Sequence, residues 1–141
     1  MNVKDCFSQG LLVDVEPSRE KAEKSLESAC EILGKAEDNQ NMGHHDVCLI
    51  LCYTAMFHAA RAVLFRDGVK ERSHVCIPLY LKSRHPELDK EANTLDAYRR
   101  ARHSALYGLD IATAREDAET ALEMARDILA RMRGVVGTDK F

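Results

Sequence analysis

The chain has 141 residues, the length of one domain, and with 45% apolar and 30% charged residues its composition is globular, not disordered. Twenty Lys and Arg against 23 acids leave a net charge of −3, which excludes a general polyanion binder, so any nucleic-acid contact must come from a local basic patch. No apolar run approaches the roughly 18 residues of a membrane span without meeting a charge, so no membrane association is expected.

The opening MNVKDCFSQG has no apolar signal-peptide core, and it is expected to be frayed. A first helix, about Pro17 to Asp38, carries Ala22, Leu26, Ala29 and Leu33 on one stripe, with Pro17 suited to its first turn. A polar connector, Asp38 to Gly43, leads to a second helix from about His45 to Asp67. That helix is apolar around most of its circumference, which predicts a central position, and Gly68 ends it as a C′ residue. A short third helix follows Ser73, with Pro78 near its first turn, and must end before Pro86.

The fourth helix, about Pro86 to Tyr107, is the most polar and stops at Gly108. The fifth opens on Thr113-Ala114-Arg115-Glu116, a capping-box pattern, and runs to about Arg133 with an alanine-rich apolar face. The tail from Gly134 to Phe141 is expected to fray. Strand signals are scarce. The expectation is an all-α, up-and-down antiparallel bundle of four to five helices in one domain over 1–141, with its core at about 17–133.

Five cysteines (Cys6, Cys30, Cys48, Cys52, Cys76) form no CxxC and no zinc-site spacing. They read as buried free thiols, which predicts no structural disulfide, no metal and a reducing, cytoplasmic setting. No P-loop, GxGxxG, HExxH or GxSxG occurs, and no cofactor is expected.

Two polar clusters interrupt the apolar pattern. Thr54, His58 and Arg61 make a seam on the second helix; Arg61 needs an anion, an acid (for instance on the first helix) or water. On the fourth helix Arg99, Arg100, Arg102 and His103 fall within five residues, and Arg99, His103 and Tyr107 share a face. Arginine forks at that density suit phosphate, although a solvated face pairing with Glu91 and Asp96 fits the same pattern. A seam of cations facing another repels itself unless an anion sits between them. One cavity joining His58 and Arg61 to Arg102 or Tyr107 is therefore expected, while His74 and the pair His44-His45 carry weaker signals.

Tyr53-Thr54-Ala55-Met56-Phe57-His58-Ala59-Ala60-Arg61-Ala62-Val63-Leu64 resembles the YYAMFHAARALL helix of small prokaryotic HEPN-domain proteins. Ser73-His74 looks like that family's Ser/Thr-His, and Arg102-His103-Ser104-Ala105-Leu106-Tyr107-Gly108 like its RxxADYG segment. The resemblance covers about Ala22 to Arg133. It implies a helical bundle that forms a homodimer with the fourth helix near the two-fold axis, and a nucleotide- or RNA-binding role through His58, Arg61, Arg99, Arg102 and Tyr107.

It further implies the HEPN half of a toxin–antitoxin-like pair with a small nucleotidyltransferase, in which Tyr107 is the acceptor of transferred nucleotide. The alternatives are a metal-independent endoribonuclease acting through Arg99, Arg102 and His103, and a helical interaction module without a nucleotide role. The family's ribonuclease motif is Arg-x(4–6)-His. Here the spacing is Arg-x(3)-His, and Leu106 stands where the family has Asp.

Overall fold

The computed structural model describes residues 1–108 and 112–137. Six helices and one short β ribbon follow in the order α1 (Val3–Ser8), β1 (Leu12–Asp14), α2 (Arg19–Asn41), α3 (His45–Asp67), β2 (Val69–Glu71), α4 (Cys76–Arg84), α5 (Asp89–Tyr107) and α6 (Arg115–Val136). The five expected helices are α2 to α6. Three residues join α2 to α3, too few for anything but an antiparallel pair.

The expected centre is α3. It packs against α2, α5 and α6 and buries Cys48, Cys52, Tyr53, Met56, Ala59, Val63 and Leu64 among others. By length and composition α3 could cross a membrane, but 61% of its apolar window is buried inside this bundle, as in the core helix of a folded domain. The stripe predicted on α2 is buried against it, with Ser25 and Ala36 added.

Helix ends differ in detail. Ser18, not Pro17, caps α2 by accepting from the Lys21 N–H at 3.1 Å, so Pro17 lies just outside the helix. Pro86–Leu88 forms a 3₁₀ turn before α5 starts. The α6 cap moves one residue from the expected pattern: the Ala114 N–H donates to Asp117 Oδ2 at 3.0 Å. α6 also runs through Gly134 to Val136, so the expected fraying does not begin there, and residues 138–141 of that tail lie outside the described residues.

Two features near the N-terminus had no sequence signal. β1 pairs antiparallel with β2, matching Leu12 to Glu71, Val13 to Lys70 and Asp14 to Val69. The ribbon continues through Val15 N–H to Gly68 O (2.9 Å) and Arg72 N–H to Leu11 O (2.8 Å). Gly68 is required here. Its φ is +83°, and a Cβ would stand 2.6 Å from the Val15 carbonyl.

The second feature corrects the cysteine reading. Cys6 on α1 and Cys76 at the start of α4 form a disulfide, with Cα atoms 6.0 Å apart and both residues fully buried. Because α1 packs on α4, cysteines seventy residues apart meet, a pairing no local spacing reveals. Cys48 and Cys52 are buried free thiols with sulfurs 3.9 Å apart, and burial raises both pKa values. Cys30, expected to be buried, is exposed.

Candidate functional site

Tyr53, Phe57, Arg61 and Phe65 recur every four residues along α3 and so form one ridge on it. The segment between β2 and α4 lays His74 on that ridge. Its imidazole stacks on Phe57 (centroids 4.3 Å apart, planes 12° apart), and its Nδ1 is hydrogen-bonded to the Tyr53 hydroxyl at 2.7 Å. From α5, Arg102 lies over the Tyr53 ring at 5.8 Å. Arg61 lies over Phe65 at 4.9 Å and reaches Phe57 at 5.8 Å. Aromatic rings thus run between two guanidiniums, each a favourable cation–π contact.

Burial, then the Arg102 charge, lowers the His74 pKa, while Glu71 opposes them. The imidazole is therefore mostly neutral at pH 7. Burial pushes Tyr53 up to about 12 against the pull of Arg102 and Arg99, so its phenol stays protonated.

Two cation-lined cavities each have one wall residue, His74 or Arg61, in contact with Phe57. The first, about 280 Å³, is lined by His74, Val75, Arg99, Arg102 and His103. Arg99 is tied to Asp96 at 3.1 Å, and Arg100 reaches the same carboxylate at 3.4 Å. Arg102 has no carboxylate partner among the described residues. His103 meets the Tyr107 ring at 4.9 Å. Tyr107 itself is 68% exposed and does not line this cavity.

The second cavity, about 340 Å³, holds Lys21, Lys24, Ser25, Ser28, His58, Arg61, Phe65 and Lys70. A larger apolar cavity of about 530 Å³ lies between α3, α5 and α6 and presents no cation, so phosphate chemistry has no footing in it.

The expected single cavity is therefore two. His58 and Arg61 line one, Arg99, Arg102 and His103 line the other, and no lining residue is common to both. The partner of Arg61 is Glu71 on β2, at 3.2 Å, and not an acid of the first predicted helix. Thr54 leaves the seam altogether, because its hydroxyl donates back to the Ile50 carbonyl at 3.0 Å.

His74 is the residue that periodicity undervalued. Read as a neighbour of a cap Ser73, it lies instead in a turn before α4, whose N-cap is Val75 without a side-chain cap. The signal available was the Ser-His pair of the resemblance. His45, by contrast, is engaged locally with Gln40 at 2.8 Å.

Fold and site together define a helical-bundle protein that gathers arginine and histidine against the middle of α5. The chain matches the family model of the HEPN domain over residues 15–135 and belongs to that family. α1 and β1 lie ahead of the matched region. No curated protein matches the chain significantly. Family membership supports a role connected with nucleotides or RNA.

Proposed function

We propose that the protein binds phosphates of RNA or of a nucleotide in the cavity between His74 and α5, as the HEPN component of a toxin–antitoxin-like pair with a small nucleotidyltransferase. One observation carries this reading: Arg102 is fixed over Tyr53 beside Arg99, yet has no carboxylate among the described residues. A guanidinium held in place without a counter-charge is suited to an incoming phosphate. His103 adds a further donor on the same wall. Leu106 and Tyr107, 41% and 68% exposed, offer an apolar patch for a second copy and leave the Tyr107 hydroxyl open to nucleotidyl transfer.

The neutral His74 favours a second reading, a metal-independent endoribonuclease. With Nδ1–H donating to the Tyr53 oxygen, the His74 Nε2 is left to accept the 2′-hydroxyl proton and return it to the leaving 5′-oxygen. The facing arginines meet the phosphorane charge, a workable arrangement for transphosphorylation. Incubation of the purified protein with single-stranded and structured RNA in EDTA separates the two. Cleavage lost in both His74→Ala and Arg102→Ala supports the nuclease. RNA retained intact but bound, with binding lost in Arg102→Ala, supports the binding protein. RNA neither bound nor cut at low salt removes both. Sedimentation tests the homodimer, and a nucleotidyl mass increment absent from Tyr107→Phe tests the acceptor.

A further inference from the structure

We propose that the cavity between α2, α3 and β2 is a separate binding site for a phosphate dianion, free or as a terminal monoester. Its wall holds four cations, Lys21, Lys24, Arg61 and Lys70, and no carboxylate. Two of these cations have acidic partners outside the wall: Glu20 on Lys24 at 3.0 Å and Glu71 on Arg61 at 3.2 Å. Two positive charges remain uncompensated around one concave space, which matches the charge of a phosphate monoester near neutral pH. A phosphodiester would bring only one.

Arg61 is the built part of the site. Its Nε faces Glu71, whose side chain is only 8% exposed, and its plane rests between the Phe65 and Phe57 rings. The two rings hold the guanidinium plane, the 3.2 Å ion pair leaves the buried Nε without a hydrogen-bond partner, and the terminal amines make no hydrogen bond among the described residues. A fixed fork with open amines takes phosphate in bidentate fashion. Lys21 Nζ also approaches the Phe65 ring, at 6.0 Å, so two cations converge on one aromatic side chain. They repel each other unless an anion lies between them.

The remaining wall fits the same ligand. The Ser25 hydroxyl donates to the His58 carbonyl at 2.7 Å and so fixes α2 against α3, which leaves Ser28 as the hydroxyl open to a ligand. His58 is held toward its neutral form by burial and by Arg61, with Glu71 opposing. A bound dianion would draw a proton back onto that ring, which makes His58 a reporter of occupancy. At about 340 Å³ the cavity lies at the small end of ligand sites, with room for a phosphate and a modest organic part.

The test is NMR titration of the full chain, following the His58 ring and the Lys21 and Lys70 side chains. The probes are inorganic phosphate, phenyl phosphate and dimethyl phosphate. Saturable shifts with the first two, at least about tenfold weaker with the diester, and a raised His58 pKa are expected. Equal affinity for phosphate and phenyl phosphate assigns the free dianion, and tighter phenyl phosphate assigns the ester. Lys21→Ser and Lys70→Ser, both at exposed positions and safe for folding, should each weaken binding several-fold, whereas Arg102→Ala should not. No saturation, equal binding of the diester, or loss of binding in Arg102→Ala with none in the lysine variants would overturn the proposal.

Discussion

At one end of the aromatic ridge Arg61 is anchored: two rings hold its plane, and a buried carboxylate lies 3.2 Å from its Nε, an ion pair that leaves that Nε without a hydrogen-bond partner. At the other end, Arg102 lies over Tyr53 with no carboxylate among the described residues. The two side chains are the same, but their roles in the fold are not. Glu71 is nearly buried, and its second oxygen already has no hydrogen-bond partner, so removal of Arg61 would strand a charge away from water. Removal of Arg102 strands nothing. One arginine belongs to the fold and the cavity alike, and the other is committed only to what enters the cavity.

The largest expected effect concerns what pins each side. Cys76 follows His74 by two residues, so the Cys6–Cys76 disulfide anchors the wall of the Arg102 cavity and not that of the lysine cavity. Closing a loop of this length is worth up to about 4 kcal/mol through the unfolded chain. Urea melts of the oxidised protein should lose a large part of that on Cys6→Ser or on reduction. Resonances of His74 should shift with the bond, and those of Lys21 and Lys70 should stay. Identical melts with and without reductant would show that the anchor contributes nothing.

Next in size is the direct comparison of the arginines. Arg61→Ala should cost about 3 kcal/mol, because it breaks a mostly buried pair, and Arg102→Ala less than about 0.5 kcal/mol. Adding Glu71→Gln to Arg61→Met should restore much of the loss. Equal costs for the two alanine variants would erase the distinction.

Protonation sharpens the comparison, because the cavity histidines and His85 shift in opposite directions. His85, at the C-terminus of α4, pairs with Asp67, which also accepts from the Tyr80 hydroxyl at 2.8 Å. The Asp67 bond raises the pKa of His85 above 6.5, so its contribution is complete below 6.5 and fades as pH rises through the shifted value. Burial pulls the Asp67 carboxyl up, but its bonds to His85 and Tyr80 outweigh that and hold it below 3.8. Its contribution is present above 3.8 and fades as pH falls through the lowered value. The pair therefore stabilises most between about pH 4 and 6.5.

His58 and His74 have lowered values, so their protonation below pH 6.5 acts against folding. The His85→Gln variant should lose stability more steeply than wild type between pH 7.5 and 5.5 in thermal melts, and His74→Gln less steeply. The most local change is Tyr53→Phe, which removes one hydrogen bond worth about 1 kcal/mol and frees His74 Nδ1. Its melt should move little while the His74 ring signals move clearly.

These contrasts were unequally legible in the sequence. The apolar circumference of α3 and the glycine after it identified the central helix to the residue, because burial and capping are local signals. The arginines of α5 were visible for the same reason. Glu71 as the partner of Arg61 was not, since the strand carrying it is three residues long and pairs with a segment more than fifty residues earlier. Nor was the division into two cavities, because Phe57 lies on a helix that is apolar around most of its circumference, and only the turn after β2 reveals that His74 stacks on it.

The most direct test of the Arg102 cavity is fluorescence anisotropy of a short single-stranded RNA at low salt, comparing wild type, Arg102→Ala and Lys21→Ser. An affinity loss of at least about tenfold in Arg102→Ala, with Lys21→Ser close to wild type, is the expected result. Unchanged RNA affinity in Arg102→Ala would contradict it.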